Sequence, residues 1–240
     1  MNPTVPQIGF DRFIQLEWVT AALNVRAGKA TLEELNELLD TAGLGVAARK
    51  KTRTVLNRLW LEPRAELVDF ANRGVEIHRS SLDVSIAALT WGMAIATYPF
   101  FGKVAELVGR LSALQGDCAA AEVHRRMSEI YGEREGTYRM TNMVLQSQAN
   151  WGAIERVEKG KRLIRKTPIT VVNDRAVAWL IEAALRYTGK AISVATLQSM
   201  AVIYPLKFEQ PLGYLASNSP ALEIRSEGPS NQFVSLRESN

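Results

Sequence analysis

The chain has little of what metal-dependent or thiol chemistry needs. Its 240 residues include one cysteine, Cys118, and two histidines, His78 and His124. A single cysteine excludes a disulfide within the chain and a zinc site built from several cysteines, which favours a reducing, cytoplasmic location. The two histidines are too far apart in sequence for the spacing of a helical metal site. The sequence therefore predicts no metal, and Cys118 is interpreted as a buried structural thiol.

Motifs of common enzymes and long apolar runs are also missing. No glycine-rich phosphate loop and no G-x-S-x-G nucleophile turn occurs in the sequence. Residues 82–101 form the most apolar stretch, but Asp83 and Pro99 interrupt it, so it is interpreted as a buried core helix. The N-terminal residues have no basic start before an apolar run, which argues against a signal peptide. We expect a protein without cofactor, enzymatic activity or membrane span.

What is present is an ordinary globular composition with a mild excess of positive charge. Hydrophobic residues make up 47% and charged residues 22% of the chain, and the formal net charge is +4. The length is sufficient for one large domain or two to three small ones. A basic balance favours an anionic partner only where the charge is concentrated.

The segment from Gly116 to Lys166 combines two predicted helices with a basic hairpin. Its patterns predict, in order, a helix, a turn, a second helix and two short strands: 119–131, Gly132, 137–150, 153–158 and 162–167. This order of elements is that of a winged helix-turn-helix, a fold that binds duplex DNA through its second helix and hairpin.

The second helix of this segment has one apolar side and one polar side. Three apolar residues recur at helical spacing and are expected to face the core: Met140, Val144 and Trp151. Arg139, Asn142 and Gln146 then line another side, and these are the residue types that match base edges in the major groove. Thr137 and Tyr138 are expected to hold a phosphate at the helix N-terminus.

The predicted hairpin has five cations and no acid within eight residues: Lys159, Lys161, Arg162, Arg165 and Lys166. Contact with DNA phosphates is the interpretation that we favour. Two alternatives remain: the basic turn and the polar helix side are simply solvated, or the hairpin binds a protein. A second basic surface is predicted on the helix that starts at Val46, where a solvated face is an equally good interpretation: Arg49, Lys50, Lys51 and Arg53.

The rest of the chain predicts a mainly α protein in three parts. Residues 1–99 read as an all-helical domain of about five helices, with a helix over 8–26, a capping box at Thr31 and a helix that ends at Gly74. Residues 100–172 form the winged helix-turn-helix that is expected to bind DNA. Residues 173–240 form a second winged-helix-like unit, expected to serve packing or protein contact.

The second unit is predicted from an internal repeat. When the chain is compared with itself at an offset of 73 residues, seven of 28 positions are identical, all apolar or glycine. The repeat predicts three helices and a hairpin: 173–189, 193–204, 211–217, and 222–226 paired with 232–237. Acids and bases nearly cancel in this hairpin, so it is a poorer candidate for phosphate contact.

Two further stretches carry a resemblance to a known family. The helix RKKTRTVLNRLW, the apolar helix ending in YPFFGKVAELVGRL and the segment that follows resemble BrxA, the small DNA-binding protein of BREX bacteriophage-exclusion systems. The resemblance covers roughly residues 8–170 and consists mainly of element order. It implies a non-enzymatic, cytoplasmic DNA-binding component of a bacterial antiviral defence system, with other defence-system proteins as further partners.

We therefore expect a double-stranded DNA-binding accessory or regulatory protein. In this hypothesis the helix 137–150 enters the major groove and the hairpin residues 159–166 contact phosphates. Two alternatives stay open: a winged-helix adaptor that binds other proteins in a larger complex, and a transcriptional repressor. The sequence determines neither the DNA sequence that is bound nor the oligomeric state.

Overall fold

The chain is mainly helical with small sheets, as the sequence predicts. The computed structural model describes residues 9–81, 83–228 and 231–237. These residues form eleven α-helices and eight short strands, and the strands fall into one two-stranded and two three-stranded sheets. No strand lies before residue 117 in the part of the chain that is described.

The N-terminal third consists of five helices joined by short turns: α1 Leu16–Arg26, α2 Leu32–Thr41, α3 Val46–Leu56, α4 Val68–Ser80 and α5 Ile86–Thr97. The chain continues from α3 into a π turn, Asn57–Leu61, and a 3-10 turn, Ala65–Leu67, precedes α4. The capping box at α2 is confirmed, because the Thr31 hydroxyl accepts from the Glu34 amide and the Glu34 carboxylate accepts from the Thr31 amide.

Two predicted helix ends in this region are wrong. The first helix begins at Leu16 rather than at residue 8, which itself lies outside the described residues. The chain before it runs beside a distant helix instead, where the Ile14 amide donates to the Ser147 hydroxyl at 2.9 Å. Gly74 does not end a helix but lies inside α4, where a Cβ atom would approach the Trp179 ring to 2.9 Å.

The middle of the apolar stretch 82–101 forms helix α5, Ile86–Thr97, and there the interpretation as a buried core helix is confirmed, whereas Leu82 lies outside the described residues. Ten of the twelve α5 residues are buried. Pro99 ends the stretch, because it starts the next helix. Among the described residues, no helix combines the length and the apolar content that a membrane crossing requires.

A helix, a short strand, two helices and a hairpin follow: α6 Pro99–Leu111, β1 Asp117–Ala119, α7 Ala120–Tyr131, α8 Glu135–Asn150, β2 Ile154–Val157 and β3 Arg162–Arg165. We call these elements the first helix–hairpin unit. Strand β3 lies between β1 and β2 and is antiparallel to both. Gly132 separates α7 from α8 with a φ of 87°, a left-handed conformation that favours glycine.

The same order recurs in the second helix–hairpin unit: α9 Asp174–Thr188, β5 Ile192–Ser193, α10 Val194–Leu197, α11 Leu212–Asn218, β7 Leu222–Ser226 and β8 Gln232–Leu236. Strand β8 lies between β5 and β7, as β3 lies between β1 and β2. Two more strands, β4 Ile169–Val171 and β6 Leu206–Phe208, pair in parallel. Within the hairpin turn, Pro229 and Ser230 lie outside the described residues.

The predicted helix over 193–204 is wrong, because only the four residues of α10 are α-helical there. A 3-10 turn, Ala201–Ile203, replaces the remainder. Its backbone lies against α6 at Gly109, and the Trp91 Nε1–H of α5 donates to the Val202 carbonyl at 2.9 Å. The Val202 carbonyl therefore accepts from Trp91 and is not available for a hydrogen bond within a continuous helix.

One hydrophobic core connects all of these elements. The buried side chains form a single cluster that runs from Phe10 to Val234. Trp179 of α9 illustrates the connection: its ring stacks on Phe70 of α4 at 4.3 Å, and its Nε1–H donates to the Phe70 carbonyl at 2.8 Å. The N-terminal helices therefore support both helix–hairpin units.

Candidate nucleic-acid interface

The positive charge of the chain is concentrated in the first helix–hairpin unit. Residues 99–172 contain twelve Lys or Arg and eight Asp or Glu, whereas residues 1–98 contain eleven of each and residues 173–240 six of each. The entire formal charge of +4 therefore lies in this middle segment. A polyanion is attracted to local charge of this kind rather than to the average of the chain.

Helix α8 presents a polar face to solvent beside this charge. Tyr138 and Arg139 are exposed, and Asn142 and Gln146 are half-buried on the same side of the helix. The opposite side is buried in the core, and it includes the three residues predicted to face inward: Met140, Val144 and, just after the helix, Trp151. Among the described residues, the amino-terminal chain is hydrogen-bonded to the last turn of α8, where the Leu16 amide donates to Asn150 Oδ1 at 2.7 Å and the Ile14 amide donates to the Ser147 hydroxyl at 2.9 Å.

The prediction of a phosphate site at the start of α8 is wrong for Thr137. The Thr137 side chain is fully buried, so its hydroxyl does not reach a surface phosphate. The amides of Thr137 and Tyr138 both donate to the Arg134 carbonyl, at 3.0 and 3.3 Å. Glu135 lies in the first turn and adds negative charge. Tyr138 keeps an exposed side chain, but the helix end itself is a poor anion site.

The lysines of the hairpin are free to contact a partner. Lys159, Lys161 and Lys166 are exposed, and none of them lies within 4.0 Å of an acidic side chain in the described part of the chain. Three consecutive residues at the tip have positive φ: Glu158 53°, Lys159 56° and Gly160 84°. This tight turn separates β2 from β3 and brings Lys159 and Lys161 to the cleft beside α8, whereas Lys166 lies at the opposite end of the hairpin.

Two of the predicted hairpin cations have partners within the protein. Arg162 donates to the Asp117 carboxylate of β1, with a Nε distance of 2.6 Å. Arg165 donates to the Ser112 hydroxyl at 2.6 Å and to the Gly109 carbonyl, and its guanidinium lies 5.1 Å from the centre of the Tyr204 ring. Arg165 thus holds the hairpin onto α6, and burial lowers its pKa.

A cleft of about 1060 Å³ lies between α8, the start of α7 and the hairpin. Arg156 of β2 lies in its wall and donates from Nη2 to Asn142 Oδ1 of α8 at 2.7 Å. No ion pair of Arg156 occurs among the described residues, and its Nε–H has no hydrogen-bond partner there. Burial lowers the pKa of this guanidinium. The cleft is therefore lined by an uncompensated, half-buried positive charge.

An aromatic pair flanks the same cleft. The imidazole of His124 on α7 stacks on the Tyr138 ring of α8, with centroids 4.0 Å apart. Burial, and to a lesser degree the nearby charge of Arg156, lowers the pKa of His124 to about 4. The imidazole is uncharged at neutral pH, so it supports Tyr138 by stacking rather than by charge. Tyr138 nevertheless exposes 61% of its surface.

The second basic surface predicted on α3 is largely paired. Arg49 lies against the Asp40 carboxylate, and Lys51 Nζ lies 3.4 Å from Asp11 Oδ2. Arg53 donates to Asn57 at 2.9 Å and also to Asn36. Lys50 is the exposed member of the set that has no ion pair among the residues described. This surface offers less free charge than the hairpin.

The described residues of this region include neither a reactive thiol nor a cluster of metal ligands. Cys118 is half-buried and free, and burial, with a contribution from Asp117, raises the pKa of its thiol to about 11. The thiol is protonated at neutral pH and therefore a poor nucleophile. In the part of the chain that the structure describes, no three His, Cys, Asp or Glu side chains come together as a metal site would require.

Arg156 and the stacking of His124 on Tyr138 were not predicted as parts of this interface. Arg156 had a signal in the sequence, because strand residues two apart share a face and Ile154 is buried. An arginine on the inward face of a strand needs a polar partner. The contact between His124 and Tyr138 depends on the crossing of α7 and α8 and has no local signal.

Comparison of the chain with protein-family models, with curated proteins and with solved structures gave no match.

Proposed function

We propose that both helix–hairpin units are winged helix-turn-helix units and that the first one binds double-stranded DNA. Support for the fold assignment comes from the order helix, strand, helix, helix, hairpin, with the short strand paired to the hairpin in both units. In this arrangement α7 crosses the DNA backbone and α8 lies in the major groove. The hairpin contacts the phosphates beside the groove.

The proposal depends on one observation: cations without an ion pair lie beside the polar, solvent-facing side of α8. The whole formal charge of the chain lies in residues 99–172. Apart from Arg165, which is bonded to Ser112 and Gly109, six cations there lack an ion pair among the described residues: Arg134, Arg139, Arg156, Lys159, Lys161 and Lys166. Arg139 is exposed on α8, and Arg156, Lys159 and Lys161 line the cleft beside it. Arg139, Asn142 and Gln146 supply the groups that hydrogen-bond to base edges.

The salt dependence of duplex binding tests this proposal. Binding of a random DNA duplex is measured by gel shift or fluorescence anisotropy over a series of salt concentrations. Each phosphate contact contributes about 0.9 to the slope of log K against log salt. The double variant Lys159→Gln, Lys161→Gln removes two exposed cations without breaking an ion pair. We expect its slope to be flatter by up to about 1.8.

A matched control removes the same charge elsewhere. Lys190→Gln, Lys207→Gln changes two exposed lysines outside the hairpin, one just after α9 and one in β6, where Lys207 Nζ lies 2.7 Å from Glu209 Oε1. We expect its slope to equal that of the unaltered protein. No duplex binding at low salt, or the same slope in both double variants, contradicts the proposal. The first of these results favours the protein-binding adaptor instead.

A role in phage defence is a further proposal that rests on the resemblance to BrxA alone. Its test is biological: deletion of the gene from its host should raise the plating efficiency of bacteriophages, and the unaltered gene should restore protection. The hairpin double variant should fail to restore it if duplex binding is needed for defence. Unchanged plating efficiency after deletion contradicts this role and leaves the binding proposal untouched.

A further inference from the structure

The hydrogen bond between Arg156 and Asn142 has a chemical consequence for what α8 presents to DNA. The Nη2 atom of Arg156 lies 2.7 Å from the Oδ1 atom of Asn142. A guanidinium has only hydrogen-bond donors, so the carboxamide atom that faces it is necessarily the oxygen. The Nδ2 group of Asn142 is thereby turned away from Arg156, and Asn142 offers two donors to a ligand.

The groups beside Asn142 are donors as well. Arg139 lies on the same exposed face of α8, and Lys161 lines the same cleft. Two acids near the cleft are hydrogen-bonded within the protein, since Asp117 accepts from Arg162 and Glu122 accepts from arginines of its own helix. Glu158 at the hairpin tip is exposed and lies 3.9 Å from Arg162 Nη1. The part of the interface around Asn142 is therefore rich in donors.

Base edges in the major groove differ in the groups that they present. Guanine offers two adjacent acceptors, N7 and O6, whereas adenine offers one acceptor and one donor. A free asparagine side chain commonly pairs with adenine, because its oxygen accepts and its nitrogen donates. An asparagine whose oxygen already accepts from an arginine has one lone pair left, and that bond fixes the carboxamide with its two N–H donors turned outward. Donors alone match the guanine edge.

We propose that Asn142 and Arg156 form a subsite for guanine in the major groove, with Arg156 as the positioning residue that fixes Asn142 as a donor. This inference rests on the proposed function, because it concerns the duplex that α8 reads. Tyr138, supported by the stacked His124 ring, covers one side of the subsite.

The test begins with the base preference of the unaltered protein. Duplexes selected from a random pool identify the bound sequence, and each position is then changed in turn. We expect one position at which guanine is preferred over adenine by about 5- to 150-fold, the range for a single well-placed base contact. Replacement of that base by 7-deazaguanine, which lacks the N7 acceptor, should reduce binding by a similar factor.

Variants then separate positioning from charge. Arg156→Met frees the Asn142 carboxamide to rotate, so the preference for guanine over adenine should fall below about threefold. Arg156→Lys keeps the charge and one donor and should retain the preference. Asn142→Ala should remove the preference while the salt slope stays the same. Gln198→Ala, which removes an exposed carboxamide from the second helix–hairpin unit, should change neither quantity.

Each outcome decides between the two proposals. Absence of duplex binding overturns both. Duplex binding with the expected salt slope, but without a guanine preference in the unaltered protein or with the preference intact in Arg156→Met, overturns the guanine subsite and leaves the proposed function standing. Thermal melting checks that the variants are folded. If Arg156→Met does not fold, Asn142→Ala decides alone, and an unchanged guanine preference in it overturns the inference.

Discussion

Two glycines in neighbouring helices look alike in sequence and differ in their surroundings. Gly109 lies in α6, and a Cβ atom there would overlap the backbone carbonyl of Ala201. Gly136 lies in α8, and a Cβ atom there meets nothing within 4 Å. The close approach at Gly109 brings the 3-10 turn of the second helix–hairpin unit directly onto α6. A single absent methyl group thus permits the two units to pack.

This difference predicts opposite effects of the same substitution. Gly109→Ala should lower the free energy of unfolding by about 1 to 3 kcal/mol, because backbone atoms must move to admit the methyl group. Gly136→Ala should raise it by up to about 1 kcal/mol, because alanine loses less conformational entropy in a helix. Urea unfolding followed by circular dichroism measures both. Equal effects of the two substitutions would contradict the close contact at Gly109.

At the scale of elements, some cations of the hairpin β2–β3 bond to the rest of the protein and others are exposed to solvent. Arg165 is bonded to Ser112 and Gly109 of the α6 region, whereas its neighbour Lys166 is exposed. Both residues lie at the same end of the hairpin, but the side chains of consecutive residues in an extended chain point to opposite sides. One cation therefore holds the hairpin in place, and the next one can contact a phosphate.

Removal of these two neighbouring charges should separate stability from binding. Arg165→Met should lower the free energy of unfolding by about 1.5 to 3 kcal/mol, the range for hydrogen bonds that involve a charged group. It should leave the salt slope of duplex binding unchanged. Lys166→Met should leave stability within about 0.5 kcal/mol and flatten the slope by up to about 0.9. Chemical unfolding and salt titration measure the pair, and the reverse pattern would refute this division.

At the scale of the whole molecule, charged groups as well as the core tie the ends of the chain together. Glu182 of α9 is 1% exposed, and both of its oxygens accept from Arg73 of α4, at 2.6 and 2.7 Å. Arg186 donates to the same carboxylate at 2.9 Å. Because a buried carboxylate is costly without partners, α4 is held to α9 across 109 residues of sequence.

We therefore expect Arg73→Met to destabilise the whole molecule. Loss of this donor should lower the free energy of unfolding by about 1.5 to 3 kcal/mol, with one cooperative transition. Arg125→Met is the matched control, because Arg125 pairs with acids on the surface of α7 and should cost less than about 1 kcal/mol. Thermal unfolding followed by circular dichroism and tryptophan fluorescence should give coincident transitions. Two separate transitions would mean that the ends of the chain unfold independently.

Much of the fold was accessible from local signals. The capping box at Thr31, the turn at Gly132 and the last hairpin depend on neighbouring residues alone, and each was predicted and is found. Where the prediction failed, a distant residue decided: Trp179 fills the space beside Gly74 and keeps that glycine inside α4.

In the candidate site, too, local sequence predicted some features, and distant contacts decided the others. Arg139, Asn142 and Gln146 were placed on one helix side by spacing, and in the structure Arg139 is exposed there while Asn142 and Gln146 are half-buried. The five hairpin cations were equivalent in the sequence. Their separation into bonded arginines and exposed lysines depends on Asp117 and Ser112, which lie 45 and 53 residues away along the chain.

The sequence by itself determined the mainly helical class, the order of most helices and of the two hairpins, and the clustering of basic residues, because each of these follows from periodicity, turn residues and composition over short windows. Only the tertiary structure decided which cations are free, which glycines allow helices to touch and that Arg156 holds Asn142. These features depend on contacts between residues far apart in the chain, and no short window of sequence contains both partners.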